Sequence, residues 1–273
     1  MNSTRYHTQT ARDLMQRPLH RLSKEVIRLR TAVSVIRDIR NWNDVVKHVR
    51  TGRPLESIER RDGTRIVAPP TIQLWNHYND IWNHRSYTKH IGVPQGGLIL
   101  DIGANVGLFS IFAARKARLV HAFEPSKATF AYLEENTQGI QNISAHNYAV
   151  GRTNGHVSLD ISGPPTAYAV TDRTTAKTAS EVVESRTIGT VFRELGIDRC
   201  EYLKLDCEGS EYDILLTADA PLLRRIDAIV LEFHDHLSSC SHVDLLNKLT
   251  SCQFNTTLYN HRPPYGMIAA RRL

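Results

Sequence analysis

An α/β fold, built on a Rossmann-like seven-stranded and mostly parallel sheet with an antiparallel last strand, is predicted by three observations. Short apolar runs alternate with amphipathic stretches from residue 98 onward, as strands and helices do in a layered α/β domain. Acids stand at or just beyond the ends of these runs, at Asp101, Glu124, Asp206 and Glu232, which is the carboxyl edge where such sheets bind ligands. The last two runs are joined only by Asn260-His261-Arg262-Pro263-Pro264, a hairpin rather than a crossover.

An N-terminal helical extension precedes the sheet. Residues 1–15 are polar, and from Arg17 to Val49 apolar residues recur at threes and fours (Leu19, Leu22, Val26, Leu29, Val33, Ile36, Ile39, Trp42, Val45, Val46, Val49), with a break near Arg40-Asn41. Gly52 and Pro54 close this pattern. Residues 57–60 and 64–67 flank Asp62-Gly63 as a hairpin, and Pro69-Pro70 opens an aromatic, helix-forming segment that runs to His90. The chain thus divides into a 1–92 extension, packed on the sheet, and a 93–273 catalytic fold. In the latter, strands are expected at 98–102, 119–123, 143–149, 201–206, 227–233, 253–259 and 265–271. Helices are expected at 106–117, 126–138, 187–195, 210–217 and 241–251. An extra strand at 157–160 leads into the Thr/Ser/Ala-rich stretch 161–186, the best candidate for a mobile substrate loop.

Composition narrows the class. Hydrophobic residues are 41% and charged residues 23%, which is ordinary for a folded domain. No apolar run reaches membrane-spanning length, and Met1–Arg12 lacks a signal-like apolar segment. The four cysteines form no Cys-x-x-Cys pair, so a reduced cytoplasmic setting is expected. The net charge of +6 is uneven, with 15 Lys/Arg against 7 Asp/Glu in residues 1–65. A solvated Arg-rich helix or a subunit contact making a homo-oligomer explains this most simply; the sharper reading is a surface for a phosphorylated or lipid-linked substrate. Nucleic acid is disfavoured, because the basic residues are not interleaved with stacking aromatics.

The loop Asp101-Ile102-Gly103-Ala104-Asn105-Val106-Gly107, followed by Phe123-Glu124-Pro125, reads as a nucleoside crevice. Gly103 and Gly107 let the backbone turn and approach a ligand, and Glu124 can accept two ribose hydroxyls. Asn105 stands where a dinucleotide fingerprint needs glycine, and Asp101 suits an amino group rather than a phosphate. S-adenosylmethionine, cationic and without phosphate, fits these residues.

Asp101 to Gly107, Phe123-Glu124-Pro125-Ser126, Asn136, Tyr148-Ala149-Val150-Gly151, the block Leu203 to Glu211 and Leu231-Glu232-Phe233-His234 resemble the FkbM family of methyltransferases over roughly residues 95–235. The resemblance implies S-adenosylmethionine-dependent O-methyl transfer to hydroxyls of sugars, glycolipids, polysaccharides or macrolides. Ala149 joins Asp101, Gly103, Asn105, Gly107 and Glu124 as an expected cofactor-binding position.

Methyl transfer to oxygen requires proton removal, so a base or a metal is expected at the ends of the fourth and fifth strands. His234 has the best intrinsic pKa for a base, and Asp206 and Glu208 complete the expected catalytic set. Asp206 with Glu232, Asp235 or His234 is the alternative, as ligands to Mg²⁺. A structural reading makes Glu211 a helix cap and pairs Lys204 with Glu232, while His121 reads as a core histidine. Trp75, Tyr78, Trp82 and Tyr87 form an expected aromatic wall for sugar rings. With what the resemblance implies, the expected acceptor is a small molecule, oligosaccharide or glycolipid. The rival functions are an NAD(P)-dependent oxidoreductase on the same sheet and a non-catalytic S-adenosylmethionine-binding partner protein.

Overall fold

The computed structural model describes residues 31–163, 169–171 and 179–273. It divides into two compact units, one reaching to Arg53 with Ile58–Arg65, the other comprising Pro54–Ser57 and Ile66–Leu273.

In the first unit, residues 31–38 are helical and α1 spans Trp42–Thr51. The expected break falls between them, where Ile39 bridges Arg60 and the Arg40 amide donates to the Glu59 carbonyl. Gly52 ends α1 in the left-handed conformation, its N–H returning to His48. The earlier part of the helical pattern, Leu19 to Leu29, lies outside the described residues. Two short strands, β1 (Ser57–Glu59) and β2 (Arg65–Val67), form the expected hairpin.

The second unit continues with α2 (Leu74–Tyr78), a π turn (Asn79–Asn83), β3 (Leu98–Ile102), α3 (Leu108–Ala114), β4 (Leu119–Phe123), α4 (Lys127–Thr137) and β5 (Ile143–His146). Next come β6 (Ala149–Gly151), β7 (Gly155–Asp160), β8 (Ala169–Thr171), β9 (Ser180–Thr187), α5 (Ile188–Glu194) and β10 (Tyr202–Leu205). The chain ends with α6 (Ser210–Thr217), α7 (Ala220–Leu223), β11 (Ala228–His234), α8 (His242–Ser251), β12 (Phe254–Arg262) and β13 (Tyr265–Arg272). Seven strands form the main sheet in the order β12-β13-β11-β10-β3-β4-β5. β13 runs antiparallel to β11 and β12, whereas β11, β10, β3, β4 and β5 are mutually parallel.

β3, next to the central β10, has every residue buried, which is why it reads as an apolar run interrupted only by Asp101. Its alternation divides the core. Leu98, Leu100 and Ile102 join Leu203, Leu205 and Phe192 on one face, while Ile99 joins Val120, Tyr202, Phe109 and Tyr87 on the other.

Three expectations are corrected. The run 143–149 is not one strand: it breaks at Asn147-Tyr148, and β6 enters a second, four-stranded sheet of order β6-β9-β7-β8. The stretch 161–186 is not simply a loop, since β8 and β9 lie in it; its residues 164–168 and 172–178 are outside the described ones. The aromatic segment is helical only over α2 and the π turn.

Candidate active site

The loop after β3 is fixed by its neighbours before any ligand enters. The Gly103 and Ala104 amides both donate to the Phe123 carbonyl, and Asn105 N donates to Glu124 Oε2 at 3.0 Å. Gly103 has φ +76°, and a Cβ there would lie 1.8 Å from the Asp206 carbonyl oxygen. Gly107 has φ +88°, and its Cβ would meet Leu133 at 2.8 Å. Both glycines are therefore demanded by adjacent protein, not only by close approach of a ligand. Glu124, buried at the end of β4, also accepts from the Ser126 amide at 3.0 Å. Burial pushes its carboxyl up to about 7. Each oxygen keeps a lone pair beyond these amide bonds, so the carboxylate can accept from both hydroxyls of a vicinal diol.

Asp101 is placed differently from the expectation of contact with a ligand amine. It is closed off from solvent, accepts from Ser110 Oγ at 2.6 Å and pairs with Lys204 Nζ at 3.1 Å. Lys204 stands opposite Asp101 in the β10–β3 register, donates to the Gly103 carbonyl at 2.7 Å and lies 3.8 Å from Asp206. Burial opposes its charge, but Asp101 and Asp206 outweigh that and hold its pKa above the ordinary value. The expected Lys204–Glu232 pair is thus replaced by Lys204–Asp101. Ala149 also sits apart from the loop contacts, buried with Leu159 and Val183 in the small sheet.

The ends of β10 and β11 bring together Asp206, Glu208, Glu211, Glu232 and His234. Tyr87 supplies a phenol to this group, 2.7 Å from Asp206 Oδ2 and 3.2 Å from Glu232 Oε2. Glu211 is buried and caps the turn, accepting from the Cys207 and Gly209 amides at 2.6 and 2.8 Å. His234 lies between carboxylates, Nε2 3.5 Å from Glu208 and Nδ1 3.4 Å from Glu211. Burial opposes its charge, yet Glu211, Asp206 and Glu208 lift its pKa to about 10. A free base with an ordinary histidine pKa is therefore not what the geometry builds: the surrounding carboxylates favour the imidazolium form of His234. Burial raises Glu208 to about 8 and Glu232 to about 7, the latter helped by Asp206. Asp206 stays below the usual carboxylate range, because Lys204, His234 and the Tyr87 hydroxyl outweigh its burial.

The expected Mg²⁺ set is not assembled. Asp235 is engaged elsewhere, accepting from Tyr212 Oη at 2.5 Å and from the His242 amide and ring Nδ1 at 2.7 Å each. Among the described residues the group with converging ligand atoms is instead Asp206, Glu211 and His234. An imidazole donor and an ammonium 3.8 Å from Asp206 do not fit a cation that demands an oxygen shell.

The aromatic wall is largely core. Trp75 stacks on Tyr78 and Tyr78 on Trp82, with centroids 5.8 and 5.4 Å apart, and Trp82 abuts Phe112. Tyr87 packs on Phe109, and its carbonyl accepts the Tyr202 hydroxyl. His121 is the core histidine expected, its Nδ1 3.0 Å from His146 Nε2. Sequence reasoning missed Tyr87 as an acid-bridging group. Asn136, named in the sequence only as part of the family resemblance, proves to be a clamp whose amide holds the Val67 backbone and the Val106 carbonyl at 2.7–2.8 Å. A lone lysine inside the buried run Leu203-Lys204-Leu205 was a usable signal, since a buried ammonium requires a buried acid.

A mostly parallel, Rossmann-like sheet thus carries a glycine loop, a strand-end acid and a cluster of acids around a histidine along one edge. The family described as "Methyltransferase FkbM domain" matches residues 101–256, and the chain belongs to that family. It is 28% identical over 215 residues to "31-O-demethyl-FK506 methyltransferase FkbM" of Streptomyces tacrolimicus, covering 66% of this chain and 82% of that one. It is 27% identical over 207 residues to "Methyltransferase 1" of Beauveria bassiana (strain ARSEF 2860), covering 66% and 82%. A solved methyltransferase FkbM from Methylobacillus flagellatus KT overlays with TM-score 0.48 at 17% identity, covering 71% of this chain and 47% of that one. Family membership leaves the oxidoreductase alternative without support. No helix among the described residues is long and apolar enough to cross a membrane.

Proposed function

We propose that this methyltransferase is S-adenosylmethionine-dependent and methylates a hydroxyl of a saccharide, glycolipid or glycosylated natural product in the cytoplasm. The observation that carries the reading is the pairing of Glu124, with lone pairs left for a diol, and the Asp206–Glu208–His234 cluster along one sheet edge. The name of the Streptomyces tacrolimicus relative, which specifies a 31-O-demethyl compound, supports an oxygen acceptor.

When bound, S-adenosylmethionine supplies an activated methyl group. Glu124 holds the ribose hydroxyls, and the bonded loop 103–107 orients the nucleoside. Glu208 takes the acceptor's proton at its carboxylate, with the His234 imidazolium beside it favouring the ionised form. Asp206 and Glu232, joined through Tyr87, hold the polar floor next to it. At the rim, Tyr265 is 43% exposed and stands 4.8 Å from His236 and 5.7 Å from His234, ring to ring. The exposed Tyr265 ring, held edge to face by the two imidazoles, offers its own face to the C–H side of a sugar.

The test is a calorimetric titration of S-adenosylmethionine against NADH, followed by S-adenosylhomocysteine release over a panel of hydroxylated glycolipid and cell-wall precursors. Binding of S-adenosylmethionine with turnover on a glycosylated acceptor is the expected result. Binding without turnover on any acceptor would favour a non-catalytic partner protein.

A further inference from the structure

Glu208, the carboxylate beside His234, sits on backbone that a residue with a side chain rarely adopts. Its φ is +51° and Gly209 follows at +98°, so the chain curls left-handed through two residues in succession. An isolated turn would return such a glutamate to a negative φ, so its surroundings impose the conformation. Three contacts do this. The Cys207 and Gly209 amides, on either side of Glu208, converge on Glu211, donating to Oε1 at 2.6 Å and to Oε2 at 2.8 Å. The Ser210 amide donates to the Cys207 carbonyl at 3.3 Å and closes the turn. Leu237 lies against Gly209, where an added Cβ would come within 2.9 Å of the leucine Cβ and 3.4 Å of its carbonyl oxygen.

Glu211 is fully buried, and besides the two amides it meets the His234 ring, whose Nδ1 lies 3.4 Å away. The opposite ring nitrogen, Nε2, lies 3.5 Å from Glu208. One carboxylate thus holds both the turn that carries Glu208 and the imidazole that Glu208 faces. A helix cap accounts for less. α6 begins at Ser210 with Gly209 as its cap, so capping explains the bond to Gly209 but not the one to Cys207, two residues earlier. We propose, resting on the reading of Glu208 as the group that takes the acceptor's proton, that Glu211 is a positioning residue. It straps the Cys207–Gly209 backbone so that the Glu208 carboxylate is aimed at His234. Without the strap residue 208 returns to a negative φ, its Cβ points elsewhere, and the carboxylate leaves the imidazole.

Two comparisons on the full chain test the strap, and neither needs an acceptor. The first reads strain. Glu208→Gly should melt at a higher temperature than Glu208→Ala, because only glycine takes a positive φ freely, and this order should level or reverse once Glu211 is replaced by Gln. An amide side chain accepts one backbone N–H but turns a donor toward the other, so Glu211→Gln releases the strap. The second reads the reach of Glu208 to His234 by nitrogen NMR of the ring, assigned by its loss in His234→Gln. Glu208→Gln should lower the midpoint of the His234 titration by about one pH unit in the otherwise unaltered protein, and by a small fraction of that in Glu211→Gln. If Glu211→Gln does not fold, Glu211→Asp carries both comparisons, since it keeps the charge but is too short to reach both amides. Glu208→Ala melting as high as Glu208→Gly, or a Glu208–His234 coupling untouched by the Glu211 variants, would overturn the proposal. Full turnover by Glu208→Gln would instead overturn the reading of Glu208 as the base, a result that neither comparison shares.

Discussion

The phenol of Tyr87 bridges two carboxylates that belong to neighbouring strand ends, Asp206 at 2.7 Å and Glu232 at 3.2 Å. Its single proton serves the nearer acid, and its ring lies 5.3 Å below the Lys204 ammonium. Tyr87 lies outside the residues matched by the family, 101–256, so the site is completed by a segment that precedes the domain. Tyr87→Phe removes a hydrogen bond to a charged, buried group and should cost about 1–3 kcal/mol. Thermal unfolding should show this as a lowered melting temperature, with S-adenosylmethionine affinity retained.

Glu124→Ala should weaken S-adenosylmethionine by about 2–4 kcal/mol, since two charged hydrogen bonds are lost and do not add fully. The same change strands the Asn105 and Ser126 amides, so the protein should also melt earlier. Calorimetry and thermal unfolding on one preparation separate the two effects. Unaltered cofactor affinity would remove Glu124 from the binding site.

Gly103→Val should fail at folding rather than at binding. A Cβ placed 1.8 Å from the Asp206 carbonyl oxygen forces β3 and β10 apart at the centre of the sheet. Loss of soluble, cooperatively melting protein is the expected outcome. A well-folded variant that merely lost cofactor would show that the neighbouring strand end yields.

Turnover should follow a bell in pH. The Glu208 carboxylate is the competent form, so activity rises as pH passes about 8, and it declines as His234 gives up its proton near 10. His234→Gln removes the cation that helps keep Glu208 ionised. It should move the rising limb upward and cut kcat at neutral pH by about tenfold for each pH unit of that movement, with cofactor affinity unchanged. A pH–rate profile whose rising limb stays put in that variant would dissociate His234 from the base.

Chelation with EDTA should leave kcat unchanged, because Lys204 and Tyr87 already satisfy Asp206 and Asp235 is bound to Tyr212 and His242. Activity lost to EDTA and restored by Mg²⁺ would transfer proton removal to a metal.

Much of this arrangement was legible because the central strands are buried on both faces. Leu98–Ile102 and Leu119–Phe123 have the bounds their apolar runs predict. β9 was not legible. Ser180-Glu181-Val182-Val183-Glu184-Ser185-Arg186-Thr187 buries only Val183 and Ser185, so its composition is that of a loop. The break after His146 was also hidden, since Tyr148 continues the apolar run while turning the chain into another sheet. In the site, the acids announced themselves at strand ends, but their partners did not. Tyr87 and Asp206 are separated by 119 residues, and nothing local to either encodes the contact. The pKa of His234 was likewise set by three carboxylates gathered from the start of α6, the β10 strand end and the turn between them, not by the imidazole itself.

The loop after β3 enters binding with its conformational entropy already spent. Gly103 and Ala104 N–H groups end on Phe123, Asn105 on Glu124, Val106 on the Asn105 side chain and Gly107 on Ala104, while the Gly103 carbonyl holds Lys204. A ligand arriving there meets a rigid surface and has no backbone to order, so little of its contact energy is diverted. Amide hydrogen exchange at 103–107 should accordingly be slow in the free protein and change little on saturation, a lock whose tumblers are set before the key.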